Sequence, residues 1–449
     1  MTQQRLLSPF EIGYFTTDSH LGSVPIGGMP LFIGSVVRGE LDAGVLRRVL
    51  GELAAGHVLL RSRVATVDGV ARFVADETYV PPLEERDGET ADYWTLVNTR
   101  PAFEDGLFHA VLLRGATQSR VVLVIHHGIS DGRSAFALLD EMWQRYSAHA
   151  SGTALPLLDS DRELVGGVDE LLARVTSDAE VDGFLAQVEE LAASFGAESA
   201  ASGAESASLG AESASPMLPR DGDGVGDHSG RFALRRIELT ASRTAEVVDT
   251  ARAQGISVNS LLAGAALAAV RTEVPVTGPV PLMCGHAADL RPELSPRLPA
   301  STILNCASGA GTPAVVDRDA DPLALGAIVD ASMRELLDTR FPALFMRASH
   351  RPLDPSVAAM LSAPPAIALS NMGRMATHSL PRHLEFVRDE VFAMAAGMPP
   401  KMTIFTVGDR LTIQVEYDTA EHSHAQMGRV AEAMSDQLAR VTRVSVVRG

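Results

Sequence analysis

The sequence predicts an α+β protein of two comparable halves, each with a mixed sheet and flanking helices. Three observations carry this. At 449 residues the chain exceeds the roughly 250–300 residues at which single cores stop growing. Strand-like and helix-like patterns occur in both halves without regular βαβ alternation. Between the halves lies a low-complexity stretch, GAESAASGAESASLGAESASP, in which GAESA starts at residues 196, 203 and 210. These set expected boundaries at 1–195, 196–230 and 231–449, the middle segment being a linker or surface insertion.

In the first half, GMPLFIGSVVRGEL reads as a strand. The run LDAGVLRRVLGELAAGH places Val45, Leu46, Val49, Leu50 and Leu53 on one helical face. Strands follow at 70–75, 108–114 and 121–127, then a helix with Phe136, Leu139, Met142, Trp143 and Tyr146 on its core face. The repeat at 196–216 has Leu209 as its single large apolar residue, so its seven-residue period is not a coiled-coil signal. In the second half FALRRIEL reads as a strand, and SRTAEVVDTARAQ and VNSLLAGAALAAVR as helices. Two strands then flank a turn at Gly408-Asp409.

Composition removes several function classes. The formal charge of −18 repels polynucleotides and anionic membranes, so no nucleic-acid partner is expected. Lys401 is the only lysine, which leaves no Walker A loop and one possible Schiff-base site. Two cysteines, Cys284 and Cys306, suit free buried thiols better than a disulfide framework. There is no run of about 18 apolar residues and no basic-then-apolar opening, so a cytoplasmic location without a transmembrane segment is expected.

The chemistry concentrates in VVLVIHHGISDG, residues 121–132. Gly128-Ile129-Ser130-Asp131-Gly132 fits the G-x-S-x-G nucleophile elbow, which would make Ser130 a nucleophile and require His422 or His424 as a late base. His126 through Gly132 also fits H-H-x-x-x-D-G, in which a histidine of near-neutral pKa removes a proton from an attacking alcohol or amine. A strand running through both histidines would point them to opposite faces, so joint metal chelation is not expected.

The segment VVLVIHHGISDGRSAFALLDEMW resembles the active-site region of the condensation-domain and chloramphenicol-acetyltransferase-like superfamily. Its nearest likeness is to the phthiocerol/phthiodiolone dimycocerosyl transferase branch of polyketide-associated acyltransferases. LSPFEIGYF, VVRGELDAGVLRRVLGELAAGHVLLRSRV, GISVNSLLAGAALAAV and AADLRPELSPRLPASTILNCASGA are similar to other segments of that family, with Val58 where a proline is usual. The plant-type D-F-G-W-G motif is absent.

The resemblance implies two chloramphenicol-acetyltransferase-like domains with the active-site channel between them. It implies His127 as general base, His126 as a structural neighbour, and Asp131 paired with Arg291 beside Gly132. Ser370 and Asn371 of SNMG are candidate oxyanion or acceptor contacts. The implied activity is O-acyl transfer from acyl-CoA or an acyl-carrier protein to a hydroxyl of a lipid, polyketide or other natural product. No cofactor or metal is implied beyond the phosphopantetheine thioester as co-substrate, and the protein is expected to be a monomer in secondary metabolism. Arg340, Arg347 and Arg351 are a candidate patch for docking an acidic carrier. The alternatives are an amide-forming condensation enzyme, a serine hydrolase or thioesterase using Ser130, and a catalytically silent carrier-binding domain.

Overall fold

The computed structural model describes residues 3–155, 163–202, 217–228 and 230–446. Two main sheets organise them. The strands in chain order are β1 (Pro30–Arg38), β2 (Leu83–Asp87), β3 (Phe108–Arg114), β4 (Ser119–His126), β5 (Phe232–Glu238) and β6 (Val280–Asp289). They continue with β7 (Ala307–Val316), β8 (Ile367–Met375), β9 (Glu385–Phe392), β10 (Lys401–Val407) and β11 (Arg410–Asp418). The helices that matter for the site are α1 (Pro9–Phe15), α2 (Gly132–Ser151), α3 (Asp178–Ser202), α4 (Val258–Arg271), α5 (Phe341–Ala348) and α6 (Pro355–Leu361).

The first-lobe sheet runs β9-β1-β4-β3-β2, antiparallel except for β2 beside β3. Strand β4 is central, and its whole length is buried, which is why SRVVLVIH shows little of the alternation expected of a half-exposed strand. Helix α2 packs behind it through Phe136, Leu139, Met142, Trp143 and Tyr146, all within the first core. The Trp143 indole nitrogen donates to Ser35 on β1 at 2.8 Å, so burying this large ring leaves no unpaired donor.

The second-lobe sheet runs β5-β11-β10-β8-β6-β7, with β8 parallel to both β6 and β10. Helix α4 is buried along its length against it, as its almost unbroken apolar sequence requires. Each lobe is thus a mixed sheet with flanking helices.

The lobes are not consecutive in sequence. Strand β9 leaves the second half and pairs with β1 at the edge of the first-lobe sheet, Glu385 opposite Arg38 and Phe392 opposite Phe32. The chain then returns to β10. Division of the chain at residue 231 does not capture this strap.

The low-complexity region also differs from a free linker. Helix α3 extends to Ser202, through the first GAESA unit, and the rest of the repeat, 203–216, lies outside the described residues. Beyond it the chain is fastened to the second lobe. Leu218 is buried in that core, Ser423 donates to Asp221, and the Asp227 carboxylate pairs with His424. The acidic residues of DGDGVGD are therefore engaged with neighbours in the fold.

No single helix among the described residues is long and apolar enough to cross a membrane.

Candidate active site

The strand carrying the motif ends one residue earlier than the sequence suggests. β4 stops at His126, and His127–Ile129 form a single 3-10 turn before α2. The two imidazoles nevertheless separate. His126 stacks on Phe15 with ring centroids 4.1 Å apart, meets the edge of Phe103, and accepts the Gly128 N–H at 3.1 Å. Burial pushes its pKa down to about 3, so it is a neutral packing residue at any ordinary pH.

Gly128 is required by this packing. A Cβ there would stand 2.8 Å from Tyr14 and 3.0 Å from the His126 ring.

His127 lies on the wall of a cavity of about 780 Å³ between the lobes. Its ring packs beside Tyr14 at 5.6 Å, and Asn305 of the second lobe donates to its carbonyl at 2.8 Å. The Asn305 nitrogen also stands 3.3 Å from His127 Nδ1, while its oxygen accepts the Ala307 N–H, which fixes the amide's orientation. Burial holds the His127 pKa below the ordinary histidine value, and the charge of Lys401 pushes the same way. Contacts with its own backbone and the charge of Asp131 oppose that shift. Neutral imidazole is the form able to take a proton.

Asp131 does not touch this ring. One oxygen caps α2 by accepting from Ser134 N–H at 2.9 Å, and the Ser134 hydroxyl oxygen in turn accepts the Asp131 N–H. The other oxygen accepts from Arg291 at 2.7 Å and from Cys306 N–H at 2.8 Å. Both carboxylate oxygens are thus used behind the motif, where Arg291 also reaches the Leu304 carbonyl. This joint fixes the second lobe's Arg291–Cys306 segment against the motif, and so the position of Asn305 over His127. Gly132 is closed by Met372, whose sulfur would lie 2.3 Å from an added Cβ.

The serine elbow does not assemble. Ser130 is fully buried, and its hydroxyl pairs with Ser134 at 2.9 Å. His422 and His424 bond instead to Gln426 and to Tyr417 and Asp227. The alternative of Ser130 as a nucleophile therefore lacks its geometry: a G-x-S-x-G match needs a strand-to-helix turn that exposes the serine, and this turn faces inward.

Ser370 and Asn371 line the same cavity as His127, on β8, and Arg291 also reaches its wall. Tyr14, Asn305 and His286, which were not sequence candidates, complete the site together with Lys401, marked in the sequence only as the single lysine. Asn305 was within reach, since it occupies the asparagine of the NCASGA segment. Much of the remaining wall is apolar, including Val188, Leu191, Phe341, Phe345 and Met360.

The arginine patch is not free to dock a carrier. Arg347 pairs with Asp178, Arg351 with Asp178 and Asp182, and Arg340 with Glu180 and Glu293. These pairs fasten α3 to α5 and the turn after it, across about 160 residues of sequence.

A family model described as "Phthiocerol/phthiodiolone dimycocerosyl transferase C-terminus" matches residues 228–416. The phthiocerol/phthiodiolone dimycocerosyl transferase of Mycobacterium ulcerans is 25% identical over 306 residues, 66% of this chain and 66% of that protein. The sequence is thus similar to these transferases, and the fold is that of condensation domains and related acyltransferases. Polyketide synthase associated protein 5 from Mycobacterium tuberculosis shares this fold at a TM-score of 0.70 and 18% identity, over 98% of this chain and 99% of that one. Trichothecene 15-O-acetyltransferase from Fusarium sporotrichioides does so at 0.71 and 11% identity, over 98% and 94%. The similar proteins and structures include transferases and condensation or epimerization domains.

Proposed function

We propose that this protein is a cytoplasmic O-acyltransferase that moves an acyl group from a CoA or carrier-protein thioester to a hydroxyl of a lipid, polyketide or other natural-product acceptor. The observation that carries the reading is the placement of His127: a neutral imidazole on the wall of an interlobe cavity, with the motif carboxylate turned to Arg291.

The unprotonated ring nitrogen of neutral His127 removes the proton from the acceptor hydroxyl. The oxygen attacks the thioester carbonyl and the C–O bond forms. The tetrahedral intermediate then breaks its C–S bond, and the departing pantetheine thiolate takes the proton back from His127. No acyl-enzyme is formed, which agrees with the inward-facing Ser130 hydroxyl. The apolar walls favour a lipophilic group in one arm of the cavity.

Incubation of the protein with mixed acyl-CoAs and alcohols, read by mass spectrometry, tests the reaction class. New ester masses with stoichiometric release of free thiol are expected. Thiol release that produces carboxylic acid and no ester, whatever the alcohol, would indicate a thioesterase instead.

A further inference from the structure

The second-lobe wall of the cavity carries a line of hydrogen bonds that proton transfer at His127 does not use. Its direction is set at one end by a group that can only donate. Gly373 N–H donates to Asn371 Oδ1 at 2.9 Å, so the amide nitrogen of Asn371 faces Asn259 Oδ1, at 3.3 Å. Asn259 Nδ2 then faces His286 Nδ1 at 3.3 Å, which makes Nδ1 the acceptor and leaves the ring proton on Nε2. That proton points to Thr312 Oγ1 at 2.8 Å, whose own hydrogen has the Cys284 carbonyl at 3.5 Å. All five links agree in direction.

Two further features fit a built arrangement. Burial pushes the His286 pKa down to about 4, so at neutral pH the ring has the one donor and one acceptor the line requires. Strand β8 also breaks register between Asn371 and Gly373, where Gly373 adopts a φ of +82°. Such a bulge re-aims a side chain and is frequent beside active sites. The result is an asparagine whose orientation is determined by its neighbours. One N–H is committed to Asn259, and the other has no protein partner among the described residues, on a side chain that lines the cavity.

We propose that Thr312, His286 and Asn259 form a positioning relay that holds Asn371 as an N–H donor to a carbonyl oxygen of the acyl donor. This rests on the acyl-transfer reading. Asn371 would touch substrate, whereas the other three act only through it.

Steady-state kinetics with donor and alcohol varied separately test the relay. Asn371→Ala is expected to lower kcat/KM for the thioester at least tenfold, with KM for the alcohol unchanged, and Asn371→Asp to do no better because a carboxylate has no N–H. His286→Leu should lower the same parameter several-fold in the natural background and cause no further loss when combined with Asn371→Ala. Thr312→Val, which keeps volume, provides the same cycle should the leucine variant fail to fold. Additive losses in the double variants, or an effect confined to KM for the alcohol, would overturn the relay. Ester formation by the natural protein separates the two claims: its absence with every thioester and alcohol removes the acyl-transfer reading and the relay with it, while its presence with additive relay variants removes the relay alone.

Discussion

Two buried histidines of the first-lobe region illustrate opposite uses of the same side chain. His127 has a carboxylate four residues along the chain in Asp131, but that group is spent on the α2 cap, Arg291 and Cys306 N–H. His378, on the strap leading into β9, has two carboxylates directly on its ring: Asp140 of α2 at Nδ1 and Asp389 of β9 at Nε2, both at 2.9 Å. Burial alone would lower both pKa values. At His127 burial prevails and the ring stays neutral, whereas at His378 the two carboxylates outweigh it and bring the pKa to about 9. The direction of a neighbouring carboxylate, more than burial, decides whether a histidine becomes a base or a permanent cation.

The most damaging way to break this contrast is to release Asp131. Arg291→Met removes the guanidinium from a carboxylate that is itself buried, and should cost about 3–5 kcal/mol of stability, measurable by urea unfolding. Turnover should fall as well, because the segment that holds Asn305 on His127 loses its anchor. Unchanged stability would show that Asp131 is satisfied by the helix cap alone.

His378→Leu should destabilise by a comparable or slightly smaller amount, about 3 kcal/mol, since Asp389 keeps its bond from Ser35 while Asp140 is partly exposed. Its pH signature is distinct. A folded-state pKa raised above the unfolded value of about 6.5 gives stability that is fully present below pH 6.5 and lost as pH rises through about 9. The natural protein should therefore lose stability across that window more steeply than His378→Leu does. Parallel curves would refute the charged clamp.

The pH–rate profile sharpens the other side. Because the His127 pKa is lowered, kcat/KM should rise with pH along a limb centred below 6.5 and then level off through neutrality. A limb centred near 9 would mean that His127 is held as a cation, like His378.

Much of this architecture was legible in the sequence. The α4 helix and the β10–β11 hairpin could be placed from apolar periodicity and the Gly408 turn, and the motif strand from its β-branched run. Asp131 and Arg291 were named from family-like segments and Ser370 and Asn371 from the polar end of a strand, and the structure brings all four to the cavity wall or the joint behind it. Strand β9 was not legible. Its centre, Arg388-Asp389-Glu390, reads as a solvated run, but Asp389 answers Ser35 and His378, and Glu390 lies among Arg120, Arg236 and Arg388. Charges whose partners are supplied by distant elements look like surface until the fold is known. The same reason concealed the α3 partners of Arg347 and Arg351, and the Asn259–His286 line, whose members are far apart in sequence.

The central claim is that VVLVIHHGISDG works through His127 and leaves Ser130 as a buried turn residue. Initial rates of ester formation for His127→Ala and Ser130→Ala, measured side by side on folded protein with one thioester and one alcohol, test it most directly. A loss of about 10²–10⁴-fold is expected for His127→Ala and a change of a few-fold at most for Ser130→Ala. An inactive Ser130→Ala beside an active His127→Ala would contradict it.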